Sequence, residues 1–273
     1  MEDQYIEITF ETGSPGMNEL LSAVLYGAEE IEGFEETQNT VIAYIPLGKY
    51  DGTFFERYVI PERITYSTRM IENRNWNQVW ESEFKPVIVE DFVTIRAHFH
   101  SAEKQTLHEI IITPKMSFGT GHHATTWLMM NSLRKLDCRG KKVADFGTGT
   151  GILAILSSRL GALQVLAIDY DDWSIQNAAE NIAMNECDNI DLLKTDAFPS
   201  EGPWDIIMAN INLHTLLDNF ERFSKCLNRD GRLIVSGILQ KDMDILLAEA
   251  NRFSLNFQHS LQKDGWMCMT FTI

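Results

Sequence analysis

From residue 117 to its C-terminus the chain alternates short apolar runs with helical patterns, and this alternation restricts the fold more than any other feature. Strands are predicted at residues 142–146, 164–169, 190–194, 205–210 and 232–236, with helices at 123–136, 152–160, 173–184, 213–226 and 240–251. Such an order predicts an α/β domain built on a doubly wound, mostly parallel sheet covered by helices on both faces. Two last strands, near 255–260 and 266–273, follow one another without a helix and predict a hairpin, which brings the sheet to seven strands. Ligands in sheets of this kind bind outside the carboxyl ends of the strands, at the switch point.

The first strand runs into Asp145-Phe146-Gly147-Thr148-Gly149-Thr150-Gly151 and then a helix. Glycines at alternate positions let the backbone turn sharply and let a ligand approach where a Cβ would collide. The next strand ends at Asp169, whose carboxylate can accept from both hydroxyls of an adenosine ribose. These residues also satisfy the dinucleotide fingerprint, as Gly149-x-Gly151-x-x-Ala154 with an acid twenty residues on, so a nicotinamide-dependent oxidoreductase is the rival. Against it, the glycine series starts at Gly147 after an acid, the D-x-G-x-G-x-G pattern familiar from S-adenosylmethionine binding. Asp145 would attract the ammonium group of that cofactor and repel a pyrophosphate.

Asn210 ends the fourth strand beside the switch point, where the reacting group belongs. A second glycine loop, Phe118-Gly119-Thr120-Gly121, precedes a helix that opens near Thr125 and Thr126 and lacks the lysine of a phosphate-binding loop. Lying one helix before the first parallel strand, it is expected to fold over the same crevice, bringing Phe118 and Gly119 to a single pocket with two walls. His122, His123 and His214 are conceivable proton acceptors. No His, Cys or Asp cluster has ligand spacing, so no metal is expected.

Upstream, strands at 4–10, 40–45 and 64–71, with helices at 17–28 and 51–59, suggest a small α+β, ferredoxin-like domain over residues 1–72. Residues 73–83 hold Trp76 and Trp80, four apart, and read as a linker helix; short strands at 87–89, 93–97 and 109–113 open the second domain, 84–273. Of the net charge of −16, residues 1–72 hold 14 acids against 4 bases. That balance disfavours direct nucleic-acid binding and suits a basic partner. Four scattered cysteines, an N-terminus without a signal pattern and apolar runs too short to cross a bilayer point to the cytoplasm.

The ordered set SFGTGHHATT, VADFGTGTGILAI, LAIDYDDWSIQNAAENIAMN and DIIMANI, with NWNQVWESEFKP upstream, resembles the bacterial ribosomal protein L-11 methyltransferases. The resemblance implies a class I, Rossmann-like methyltransferase domain that uses S-adenosyl-L-methionine and releases S-adenosyl-L-homocysteine, preceded by a domain that recognises the substrate. It further implies cofactor contacts from Thr126, Gly147, Asp169 and Asn210, Asn210 lying near the methyl, and repeated methylation of lysine and α-amino groups on ribosomal protein L-11. His122 and Ala124 stand where the family more often has Thr and Pro.

Overall fold

A computed structural model describes residues 4–14, 17–18, 21, 25, 28, 30–37, 39–51, 64–71, 84–101, 106–113, 121–200 and 202–273. The chain divides into two compact units, Met1–Glu83 and Phe84–Ile273.

In the first unit, β1 (Tyr5–Glu11), β2 (Gly33–Glu36), β3 (Thr40–Pro46) and β4 (Thr65–Ile71) form an antiparallel sheet in the order β2-β3-β1-β4. Period-two patterning directs Ile6, Ile8 and Phe10 of β1 and Val41, Ala43 and Ile45 of β3 into one core with Leu21 and Leu25. The strand β2 is an addition to the sequence-based expectation. Its four residues, Gly-Phe-Glu-Glu, lack β-branched side chains and take their register from β3. Most of the two helical segments expected here lies outside the described residues, as do Trp76, Trp80 and the linker helix. The ferredoxin-like assignment therefore remains a proposal, supported by the strand order.

The second unit opens with β5 (Val87–Val89), β6 (Val93–Ala97) and β7 (His108–Ile112), a separate three-stranded sheet in which β6 and β7 run parallel. Then follow α1 (Ala124–Leu133), β8 (Lys142–Phe146), α2 (Ile152–Arg159), β9 (Gln164–Asp169), α3 (Asp172–Met184), β10 (Ile190–Lys194), β11 (Trp204–Asn210), α4 (Leu213–Cys226), β12 (Leu227–Leu239), α5 (Met243–Arg252), β13 (Asn256–Lys263) and β14 (Trp266–Thr272). Strands β8 to β14 make one sheet ordered β10-β9-β8-β11-β12-β14-β13. The first five run parallel, and β14 is antiparallel to both neighbours. Expected and observed helices differ by a few residues at their ends, and a 3-10 turn at Gln240–Asp242 precedes α5. The strand expected at 232–236 extends to Leu227–Leu239 because Leu227 also pairs with Trp204.

Alternate residues of each central strand enter opposite cores. Val143, Val165, Ala167, Ile206, Met208 and Ile234 pack with α1, α2 and α3. Ala144, Ile168, Ile207, Ala209, Leu233 and Val235 pack with α4 and α5. Burial on both faces explains why these strands read as continuous apolar runs. A side chain of this size contributes about 1.5–3 kcal/mol when fully buried, so each strand is fixed from both sides.

Candidate active site

The strand order reverses between β8 and β11, and a crevice of about 880 Å³ opens at the carboxyl ends of the parallel strands. Its floor is the glycine turn. Gly147, Gly149 and Gly151 have φ of 78°, 54° and 82°, the left-handed region that glycine enters without cost. The backbone N–H groups of Gly147 and Thr148 both donate to the Ile168 carbonyl at 2.8 Å, which closes the turn against the end of β9. At Gly147 a Cβ would come within 2.2 Å of Ile211 Cγ2, so close packing and backbone conformation both require glycine.

Asp169 lines the crevice with its carboxylate held in place: Oδ2 accepts from Gly149 N–H at 2.9 Å and Oδ1 from Asp171 N–H at 3.1 Å. Each oxygen accepts one bond here and keeps a lone pair for a ligand hydroxyl. The wall opposite includes His123, Thr125 and Thr126 at the start of α1. His123 caps that helix, its Nδ1 accepting from Thr125 N–H at 3.4 Å and lying 2.8 Å from Thr125 Oγ1. Its ring meets Trp266 edge to face, with centroids 4.8 Å apart. Asn210 lies on the crevice wall at the end of β11, and its carboxamide makes no hydrogen bond to the described residues.

Thr126, Gly147, Gly149, Asp169 and Asn210 are thus brought together as expected from sequence. Asp145 and Gly151 are not on the wall. Asp145 is completely buried under the turn, where Thr148 Oγ1 donates to its Oδ2 at 2.7 Å and its Oδ1 has no hydrogen-bond partner. The expectation that it meets a ligand ammonium directly is corrected accordingly, because a carboxyl with no exposed surface acts only through the turn. Burial raises its pKa to about 7, helped by the nearby Asp169 charge, while the Thr148 hydroxyl and the Ala154 N–H pull the other way. Gly151 starts α2 and packs against Ala178, where an added Cβ would sit 3.4 Å away. Phe118, Gly119 and Thr120 lie outside the described residues. The remaining member of that loop, Gly121, faces Ile95 and Val87 rather than the crevice.

His122 contacts the Lys85 carbonyl at 3.0 Å and Phe84 edge to face, away from the crevice, and His214 is exposed on α4. No metal-binding cluster exists among the described residues. Sequence reasoning missed Thr195 and Asp196, Tyr170, Gly237 and Trp266. Thr195 and Asp196 follow β10 as Asp169 ends β9, so the rule that polar residues close parallel strands could have found them. A glycine inside an apolar strand signalled Gly237, where pairing with β14 shifts register. Trp266 carried no signal, since only the fold brings β14 beside α1.

A bare glycine turn, a switch-point crevice within the usual ligand range of about 300–1,000 Å³ and a restrained carboxylate one strand over fit an adenosylated cofactor. Together with the strand order they define a class I, S-adenosylmethionine-dependent methyltransferase. The family model described as Ribosomal protein L11 methyltransferase (PrmA) matches residues 10–273. The chain is 40% identical over 275 residues to the ribosomal protein L11 methyltransferase of Porphyromonas gingivalis, covering 97% of this chain and 93% of that protein. It is 35% identical over 279 residues to the corresponding protein of Bacteroides thetaiotaomicron, covering 98% and 99%. A crystal structure of ribosomal protein L11 methylase from Lactobacillus delbrueckii subsp. bulgaricus superposes with a TM-score of 0.64 at 30% identity, covering 69% of this chain and 98% of that one. The chain belongs to the ribosomal protein L11 methyltransferase family, which sets aside the nicotinamide alternative.

Proposed function

We propose that the protein methylates ribosomal protein L11 on amino groups, lysine side chains and the N-terminal α-amine, in the cytoplasm. The names of its relatives support that substrate, and a net charge of −16 suits a basic protein partner. Residues 1–72 are assigned to substrate recognition, since much of the acidic excess lies there. Among the described residues no helix is long and apolar enough to cross a membrane.

The observation that carries this reading is Asn210: an uncommitted carboxamide on the crevice wall, one strand from the glycine turn. When bound, the cofactor would supply an electrophilic methyl on a sulfonium sulfur, which would keep the bonding pair and depart as a neutral thioether. The chain holds the acceptor nitrogen in line with that methyl and excludes water. Asn210 Oδ1 would accept from the incoming amine, and Asp169 would hold the ribose. Asp196, just past the end of β10, lines the same crevice and would accept from a donor on the cofactor. The amine attacks in its neutral form, which costs more for lysine, with a pKa of about 10.4, than for an α-amine at about 7.7–8.0.

Radiolabel transfer from S-adenosylmethionine to purified L11 tests the assignment. Wild-type protein is expected to label L11, and Asn210→Ala to lose at least about ten-fold in turnover while still binding S-adenosylhomocysteine. Unchanged turnover in Asn210→Ala would refute its role, and label appearing in RNA or a metabolite instead would refute the substrate.

A further inference from the structure

The helix α3 carries asparagines at 177 and 181 and is capped at its C-terminus by a third, Asn185; all three are buried, with exposures of 1%, 0% and 1%. Spacing of four places them on one helix face. Buried carboxamides need partners, and two of these find theirs on the backbone of β7 and of Thr113, the residue that follows it. Asn185 Oδ1 accepts from Ile111 N–H at 3.0 Å, and its Nδ2 donates to the Ile111 carbonyl at 2.6 Å. Asn181 Oδ1 accepts from Thr113 N–H at 2.8 Å. The fit is geometric: two residues of a strand rise about 6.6 Å, and four residues of a helix about 6 Å. β7 is an edge strand of its sheet, and α3 supplies with side chains the pairing that another strand would supply with backbone.

Asn181 does something its neighbour does not. Its Nδ2 donates to the Thr150 carbonyl, inside the glycine turn, at 2.8 Å, and to Asn177 Oδ1 at 3.0 Å. One carboxamide therefore joins the floor of the cofactor crevice to the end of β7. Asn185 is equally buried and bonds to the same strand, yet its carboxamide makes no bond to the turn among the described residues.

We propose that Asn181 is a positioning residue for the cofactor, which keeps the glycine turn and the end of β7 at a fixed separation. Losing it widens that separation and weakens cofactor binding, whereas losing Asn185 only loosens β7. This rests on the crevice being the S-adenosylmethionine site.

The test compares Asn181→Leu with Asn185→Leu, each a near-isosteric change that deletes buried hydrogen bonds. Thermal midpoint is measured alongside the dissociation constant for S-adenosylhomocysteine by calorimetry. Both variants are expected to melt earlier. Only Asn181→Leu is expected to bind at least about ten-fold more weakly, a change of about 1.4 kcal/mol in binding free energy. Should that variant not fold, Asn181→Asp decides, because a carboxylate still accepts from Thr113 N–H but cannot donate to Thr150. Wild-type affinity in the Asn181 variant, or equal weakening in the Asn185 variant, would overturn the proposal. Failure of wild-type protein to bind S-adenosylhomocysteine would instead overturn the assignment of the crevice.

Discussion

Asp145 makes a prediction whose sign and size follow from its surroundings. It is fully buried beneath the glycine turn, one oxygen has no hydrogen-bond partner, and its pKa is raised from 3.8 to about 7, chiefly by desolvation. A carboxyl whose pKa is higher in the folded than in the unfolded chain favours folding only while protonated in both. Its ionised form destabilises the fold progressively as pH rises from about 3.8 to about 7, and by a constant amount above that. A rise of this size corresponds to about 4 kcal/mol. Asp145→Asn keeps the shape, keeps an acceptor for Thr148 Oγ1 and removes the titration. Stabilities of wild type and variant are compared by urea unfolding, followed by circular dichroism, from pH 4 to pH 8.5. The difference between them is expected to shift in favour of the asparagine protein by up to about 4 kcal/mol across that range, most of it between pH 4 and pH 7. Adding Asp169→Asn removes a neighbouring negative charge and should shrink the shift. A pH-independent difference would mean that Asp145 ionises as an exposed carboxylate does, and the burial argument would be wrong.

Two glycines near Ile211 should respond differently to alanine. A Cβ at Gly147 meets the Ile211 Cγ2 methyl at 2.2 Å, while a Cβ at Gly237 meets the Ile211 carbonyl oxygen at 2.2 Å. Both positions carry positive φ and pay about 1–2 kcal/mol for that alone. Thermal unfolding should show that Ile211→Ala partly rescues Gly147→Ala and leaves Gly237→Ala unrescued; equal rescue would contradict the geometry. Phe223 is fully buried, its ring 5.0 Å from Phe198 and 5.9 Å from Phe146, so Phe223→Ala should cost about 3–5 kcal/mol in denaturant unfolding. A loss under about 1 kcal/mol would mean that the core beneath β8 can collapse around the gap.

The sheet and the floor of the crevice are legible in the sequence. Strands buried on both faces must be apolar throughout, a tight strand-to-helix turn under a ligand must be glycine, and parallel strands that end at a ligand must end in polar residues. Each requirement acts within a few neighbouring residues, so 142–146, 164–169, 190–194 and 213–226 could be read to the residue. Asp169 and Asn210 could likewise be placed on one edge.

Tertiary structure decided what depends on residues far apart in the chain. Asp145 looks like a ligand contact beside its glycines, but packing of α2 over the turn removes it from the surface. Trp266 reaches His123 across more than 140 residues because β14 inserts beside β12, and Asn181 and Asn185 find β7 because α3 packs along it. β2 exists only where β3 supplies its partners. Local chemistry fixes which residues can form a turn, a strand or a cap. Which of them then share a wall is set by the summed burial of distant elements, which no short stretch of sequence contains.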